Sequence, residues 1–155
     1  LQSRGGGINV VEVFDGARWK EAPALREPRS SVACAVYRGE LYAIGGVGAG
    51  RVSASVQKYN GTGSWSNVPP LPEARLQCAA VVWRDHLYVL GGHGLTRTLS
   101  SMERFDGTHW VPQPPMSSRR KALAAVVYKD HIYAIGGNDG ESFHASVERF
   151  DGESW

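Results

Sequence analysis

The chain is built from short apolar runs of strand length, separated by polar turns rich in glycine and proline. No segment carries the three- and four-residue spacing of an amphipathic helix. Three runs of small and β-branched residues (Ser31 to Tyr37, Cys78 to Trp83, Leu123 to Tyr128) each lead into a two-residue polar turn: Arg38-Gly39, Arg84-Asp85 and Lys129-Asp130. A tyrosine-bearing apolar run follows each turn and ends at a glycine pair: Leu41 to Gly46, Leu87 to Gly92, Ile132 to Gly137. Two strand-like runs joined by two turn residues predict a hairpin. After a loop of nine residues comes an alternating run, such as Val56 to Tyr59 or Val147 to Phe150, which predicts a third strand. An Asp-Gly or Asn-Gly turn then reverses the chain into a fourth strand that carries a tryptophan.

That last turn is the sharpest repeated mark. It reads Phe14-Asp15-Gly16…Trp19, Tyr59-Asn60-Gly61…Trp65, Phe105-Asp106-Gly107…Trp110 and Phe150-Asp151-Gly152…Trp155, and successive tryptophans lie 46, 45 and 45 residues apart. Units with such a period cannot bury their own apolar faces and must stack on their neighbours. Proline-rich crossings, Pro69 to Pro72 and Pro112 to Met116, break strand pairing between units. Four antiparallel strands per unit at this length fit a propeller blade better than a sandwich. The paired glycine ends a strand without side-chain bulk where blades crowd. The tryptophan supplies a large apolar plate between adjacent sheets.

The glycine pair, the aromatic, the tryptophan, and the Pro-Leu or Pro-Met and arginine before the next unit resemble the kelch repeat of the BTB-kelch proteins. The resemblance runs over essentially the whole chain and recurs in full three times. It implies an all-β, kelch-type β-propeller with four-stranded antiparallel blades, a fold that usually closes as six blades. Residues 1–19 align with 137–155. The expected organisation is therefore the last two strands of a blade over 1–20, blades over 21–66 and 67–111, and a blade over 112–155 cut short in its fourth strand. That makes about three and a half blades, or about 14 strands against roughly 24 for a ring of six. Bare strand edges and uncovered blade faces aggregate, so the remaining blades are expected from another segment or another copy of the chain. The opening Leu1-Gln2-Ser3-Arg4-Gly5-Gly6-Gly7 departs most from its counterpart and reads as foreign to the repeat.

Composition narrows the function classes. With 17 basic and 15 acidic residues mixed along the chain, the net charge is only +2, which argues against a nucleic-acid partner. No apolar run approaches the roughly 20 residues of a bilayer span, and no secretion signal opens the sequence. Cys34 and Cys78 lie in apolar runs without repeat counterparts and read as small core residues in a reducing, cytoplasmic compartment.

Catalytic chemistry finds little support. The five histidines scatter, and neither His nor Cys has metal-ligand spacing, so no metal or other cofactor is expected. Gly46-Val47-Gly48-Ala49-Gly50 leads into a strand rather than a helix and is not a phosphate cradle. No Gly-x-Ser-x-Gly elbow or acidic pair stands out.

The candidate surface is one rim of the propeller. The loops between second and third strands run Val47 to Ser53, His93 to Leu99 and Asn138 to His144; their lengths match while their side chains differ. They open on the same rim as the proline-rich crossings, and a rigid scaffold presenting variable loops is how binding surfaces are built. Arg29, Arg75 and Arg120 each stand 16 residues before their glycine pair. That invariance predicts an architectural tie through backbone carbonyls; the alternative is a basic contact at the propeller mouth. Two residues on, Ser31, Gln77 and Ala122 vary as a ligand-reading position does. Kelch proteins that grip acidic peptides can carry arginine near there, and this chain does not. Candidate partner-binding residues are Arg51, Arg97 and Arg75 for hydrogen bonds, His93, Asn138 and Phe143 for shape and stacking, and Ser31 and Gln77 deeper in the mouth.

The resemblance implies a non-enzymatic module that holds a protein or peptide. Many such domains are the substrate receptors of cullin-RING ubiquitin ligases and reach cullin-3 through a BTB domain, of which no residues are present. The other readings are a kelch-scaffold oxidase or sugar isomerase and an actin-associated scaffold. Copper oxidases need Tyr, Cys and His together, a set absent from these loops.

Overall fold

The computed structural model describes residues 8–155, so the opening seven-residue stretch lies outside the described residues. In chain order the strands are β1 (Val11–Phe14), β2 (Trp19–Ala22), β3 (Ala33–Tyr37), β4 (Glu40–Ile44), β5 (Val47–Gly48), β6 (Arg51–Val52), β7 (Val56–Tyr59) and β8 (Ser66–Val68). They continue as β9 (Ala79–Trp83), β10 (His86–Leu90), β11 (Met102–Phe105), β12 (Trp110–Gln113), β13 (Ala124–Tyr128), β14 (His131–Ile135) and β15 (Val147–Phe150). There is no helix among the described residues.

Each sheet is an antiparallel meander. The orders are β1-β2, then β3-β4-β7-β8, β9-β10-β11-β12 and β13-β14-β15. Tyr37 pairs with Glu40, Trp83 with His86 and Tyr128 with His131, leaving two-residue turns. Both residues of every such turn have positive φ, from 45° to 77°, as a hairpin turn matching the strand twist requires. The recurrent His86 and His131 have a local reason, since their Nδ1 atoms lie 2.7 and 2.6 Å from the turn carbonyls of Arg84 and Lys129.

The structure departs from expectation at three places. The Val47 to Ser53 loop contains a further small hairpin, β5-β6, because Ala49 and Gly50 both take positive φ in another two-residue turn. The outer strands run on past their tryptophans: β2, β8 and β12 extend to Ala22, Val68 and Gln113. Blade limits drawn at residues 20, 66 and 111 therefore fall inside or at the start of these strands, and the real stops are set by the prolines that follow. Cys34, expected in a core, is exposed, while Cys78 is buried.

Between blades the packing repeats. Ala33, Tyr37, Tyr42 and Ile44 of the second blade meet Leu87, Val89 and Phe105 of the third. Val81, Trp83, Leu90 and Met102 of the third meet Ile132, Ala134 and Phe150 of the fourth. The repeat tryptophans stack on their aromatic partners, with ring centroids 5.5 Å apart for Tyr59–Trp65 and 4.7 Å for Phe105–Trp110. Each indole N–H of Trp65, Trp110 and Trp155 also donates to a carbonyl in the crossing that leads into its blade, at Pro23, Pro69 and Pro114 respectively.

The glycine pairs mark where blades touch most closely. Gly46 and Gly92 donate their N–H to the carbonyls of Arg75 and Arg120 in the following blade, at 2.9 and 2.8 Å. A Cβ on Gly45 or Gly91 would strike those same carbonyls.

Candidate functional site

Three side chains hold the loop rim together from beneath. Arg75 is 0% exposed. Its Nη1 donates to the carbonyls of Gly91 (3.2 Å) and Ser101 (3.4 Å), and its Nη2 to the Ser101 hydroxyl (3.1 Å). Arg29 and Arg120 repeat the pattern on Gly45 with Ser55 and on Gly136 with Ser146. The architectural reading of these arginines is the one the geometry carries. Arg75 therefore leaves the set of partner-binding candidates, because its donors are consumed inside the blade. Burial lowers the pKa of its guanidinium, and the field of Cys78 and of nearby carboxylates opposes that shift. Burial also pushes the neighbouring Cys78 thiol up to about 11, which leaves it an inert core residue.

Over this frame lie the variable loops. In each blade the residue after the glycine pair bridges back to the crossing: Val47 to Ser30, His93 to Leu76, Asn138 to Lys121. His93 and Asn138 bridge forward as well, to Thr98 and Phe143. Both are half-buried; they shape their loops first and offer only an edge to a partner. The His93 ring lies 3.3 Å from the Thr98 hydroxyl. Arg51 and Arg97 are exposed. Phe143 is 91% exposed and Leu95 75%, the largest exposures among the bulky apolar side chains of the rim.

Shallow depressions run along the rim at equivalent positions. The largest, about 430 Å³, is lined by Glu27, Pro28, Gly48, Arg51 and Val52. A second of about 130 Å³ has Glu73, Arg97 and Arg119, and a third of about 280 Å³ has Arg119, Asp139, Glu141 and His144. Arg119 thus borders two depressions, a placement its repeat counterparts Pro28 and Ala74 cannot signal. The last loop is stiffened by Asp139, whose Oδ1 accepts the N–H groups of Glu141 and Ser142 at 2.8 Å each. Those two bonds hold the Asp139 carboxyl below its usual range. His144 Nε2 lies 3.1 Å from the Arg119 carbonyl and 3.7 Å from Asp139.

Ser31, Gln77 and Ala122 share a strained geometry, with φ of 55°, 53° and 52°. Gln77 N–H donates to the Ser31 carbonyl (3.0 Å) and Ala122 N–H to the Gln77 carbonyl (2.9 Å), forming a ladder from blade to blade. The side chains of Ser31 and Gln77 are exposed and free to vary, because the ladder uses only their backbones.

Stacked four-stranded meanders joined in this way define a β-propeller. The family model of the Kelch motif matches residues 28–72, 74–117 and 119–155, and the chain belongs to the kelch-motif family. No curated protein matches the sequence. Among solved structures the fold is similar to that of YjhT, with a TM-score of 0.79 at 15% identity; the match covers 90% of this chain and 48% of YjhT. The chain thus spans about half the length of that protein.

Proposed function

We propose that the loop rim binds a protein or peptide partner and that this chain is an interaction module rather than an enzyme. One observation carries the reading. Three loops of equal length, fixed by the same buried arginines, present unlike exposed side chains: Arg51, then Leu95 with Arg97, then Phe143. Apolar anchors beside guanidinium groups suit a peptide backbone and its side chains. Arg119 joins Arg97 at the shared depression, and Ser31 and Gln77 extend the surface inward.

Within this reading the chain acts in the cytoplasm as the substrate-recognition part of a cullin-RING ligase adaptor, with a BTB domain in the same polypeptide reaching cullin-3. The support is kinship with the kelch family. Quantitative affinity purification tests both levels, comparing wild type with Arg97→Ala/Phe143→Ala. Loss of a reproducible set of proteins from the variant supports the rim. An unchanged set removes it. Cullin-3 in the purified complexes supports the adaptor role, and its absence from complexes of the whole polypeptide removes that role alone.

A further inference from the structure

The turns between third and fourth strands hold Asp15, Asp106 and Asp151 in three of their four copies. There Oδ1 accepts the N–H groups two and three residues on, at 2.7 to 3.0 Å. The aspartate's own N–H closes each turn on the carbonyl of Arg18, His109 or Ser154. The slot is built for a carboxylate: the N–H groups of His109 and Thr108 hold Asp106 far below its ordinary pKa.

The second blade places Asn60-Gly61 in this slot, and Gly63 lengthens its turn by one residue. Asn60 makes no closing backbone bond, which leaves the turn slack. Its Oδ1 accepts the N–H of Thr62 at 3.0 Å and the Thr62 hydroxyl at 3.1 Å. Among the described residues no hydrogen bond engages Asn60 Nδ2 or the Gly61 N–H. Both residues are exposed, and the Gly61 nitrogen is screened by no side chain of its own.

We propose that Asn60 is a site of spontaneous deamidation, at which water converts the side-chain amide into a carboxylate. Hydroxide takes the Gly61 amide proton, and that nitrogen bonds to Asn60 Cγ. The carbonyl electron pair moves onto Oδ1, where the N–H and O–H of Thr62 stabilise the charge as an oxyanion hole does. Collapse breaks the Cγ–Nδ2 bond, water returns the proton, and ammonia leaves a cyclic imide. One water then opens the ring. Breaking the bond from Gly61 nitrogen to Cγ gives aspartate, and breaking its bond to the main-chain carbonyl carbon gives isoaspartate. Either product adds one negative charge on the rim opposite the variable loops.

The other described asparagines lack this arrangement. Asn9 Nδ2 donates to the Leu25 carbonyl at 3.1 Å, Asn67 lies inside β8, and the N–H after Asn138 is held by the Ser142 carbonyl. Val10, Val68 and Asp139 also crowd the attacking nitrogen with a side chain.

Peptide mass mapping of the folded protein, aged in mildly alkaline buffer, tests the proposal. Residue 60 should gain one dalton at least tenfold faster than Asn9, Asn67 or Asn138, and isoaspartate methyltransferase should label it. Thr62→Ala keeps the turn, since Ala17 occupies the same place after Asp15. It should slow the reaction several-fold in the folded protein and leave it unchanged in urea, where nothing holds Thr62 against Oδ1. The proposal is overturned if Asn60 stays intact in the folded protein while the urea-unfolded chain deamidates, or if Thr62→Ala leaves the folded rate unaltered.

Discussion

Glu103 Oε1 stands 3.7 Å from the Nη2 of Arg75, while Glu103 Oε2 is buried with no hydrogen-bond partner. The reason lies one crossing away. In the second blade the Arg26 N–H donates to Gln57, and in the fourth the Ser117 N–H donates to Glu148 at 2.7 Å. The equivalent residue in the third blade is Pro72, which has no N–H to give.

The two glutamates therefore titrate in opposite directions. Burial raises Glu103, aided by Glu73 and opposed by Arg75. Burial also pushes Glu148 upward, but the hydroxyl and N–H of Ser117 and the guanidinium of Arg120 outweigh it and hold the group below its ordinary value. A carboxyl raised on folding binds more protons in the native state, so its contribution falls as pH rises through the raised range. A lowered one contributes above the unfolded value and loses that contribution as pH falls. Glu148→Gln should cost about 1.5–3 kcal/mol at pH 7, the range for hydrogen bonds to a charged group, and less in acid. Glu103→Gln should improve relative to wild type between pH 4 and 7. Denaturant melts across that range check the two slopes, and slopes of the same sign would refute the assignment.

Supplying the missing donor should stabilise. Pro72→Ser offers Glu103 the N–H and hydroxyl that Ser117 offers Glu148, and a gain of about 1 kcal/mol is expected from one satisfied buried acceptor. Chemical denaturation of the single variant and of Pro72→Ser/Glu103→Gln separates this from a general loop effect, because the gain should shrink when the carboxylate is gone.

Gly91 and Gly50 both have positive φ, 57° and 73°, but only Gly91 faces a backbone carbonyl. Gly50→Ala should cost about 1 kcal/mol of conformational strain. Gly91→Ala adds a collision with the Arg120 carbonyl and should cost about 3 kcal/mol or more. Equal losses in a melting comparison would show that the close blade contact does not set this position.

Arg97 and Arg75 separate binding from architecture. Arg97→Ala should change stability by no more than about 0.5 kcal/mol, as for an exposed side chain, while weakening the partner complex. Arg75→Ala strands a buried carboxylate and should cost about 3–5 kcal/mol. Trp65→Ala, which opens a cavity and orphans the Pro23 carbonyl, falls in the same range of about 3–5 kcal/mol. Paired melting and binding measurements on the three variants decide the matter.

Much of this organisation is legible in the residues. The hairpins and turns follow from apolar runs broken by Arg-Gly, Arg-Asp and Lys-Asp, and the third-to-fourth reversal from Asp-Gly. The β5-β6 hairpin escapes because its turn places Ala49, not a preferred residue, at positive φ. Arg75 shows why a candidate site is harder to read. A guanidinium spent on backbone carbonyls and one offered to solvent look alike in sequence, and only the fixed spacing to the glycine pair marked the difference. Arg119, Asp139 and His144 escape for the opposite reason: they vary between blades, and only the folded rim brings them around one depression.

The claim that the loop rim is the binding face is tested most directly by hydrogen–deuterium exchange with and without a captured partner. Slowed exchange over residues 93–99 and 138–144, with the turns at 38–39, 84–85 and 129–130 unchanged, is the predicted result. Protection confined to those turns, with both loops exchanging as freely as before, would contradict it.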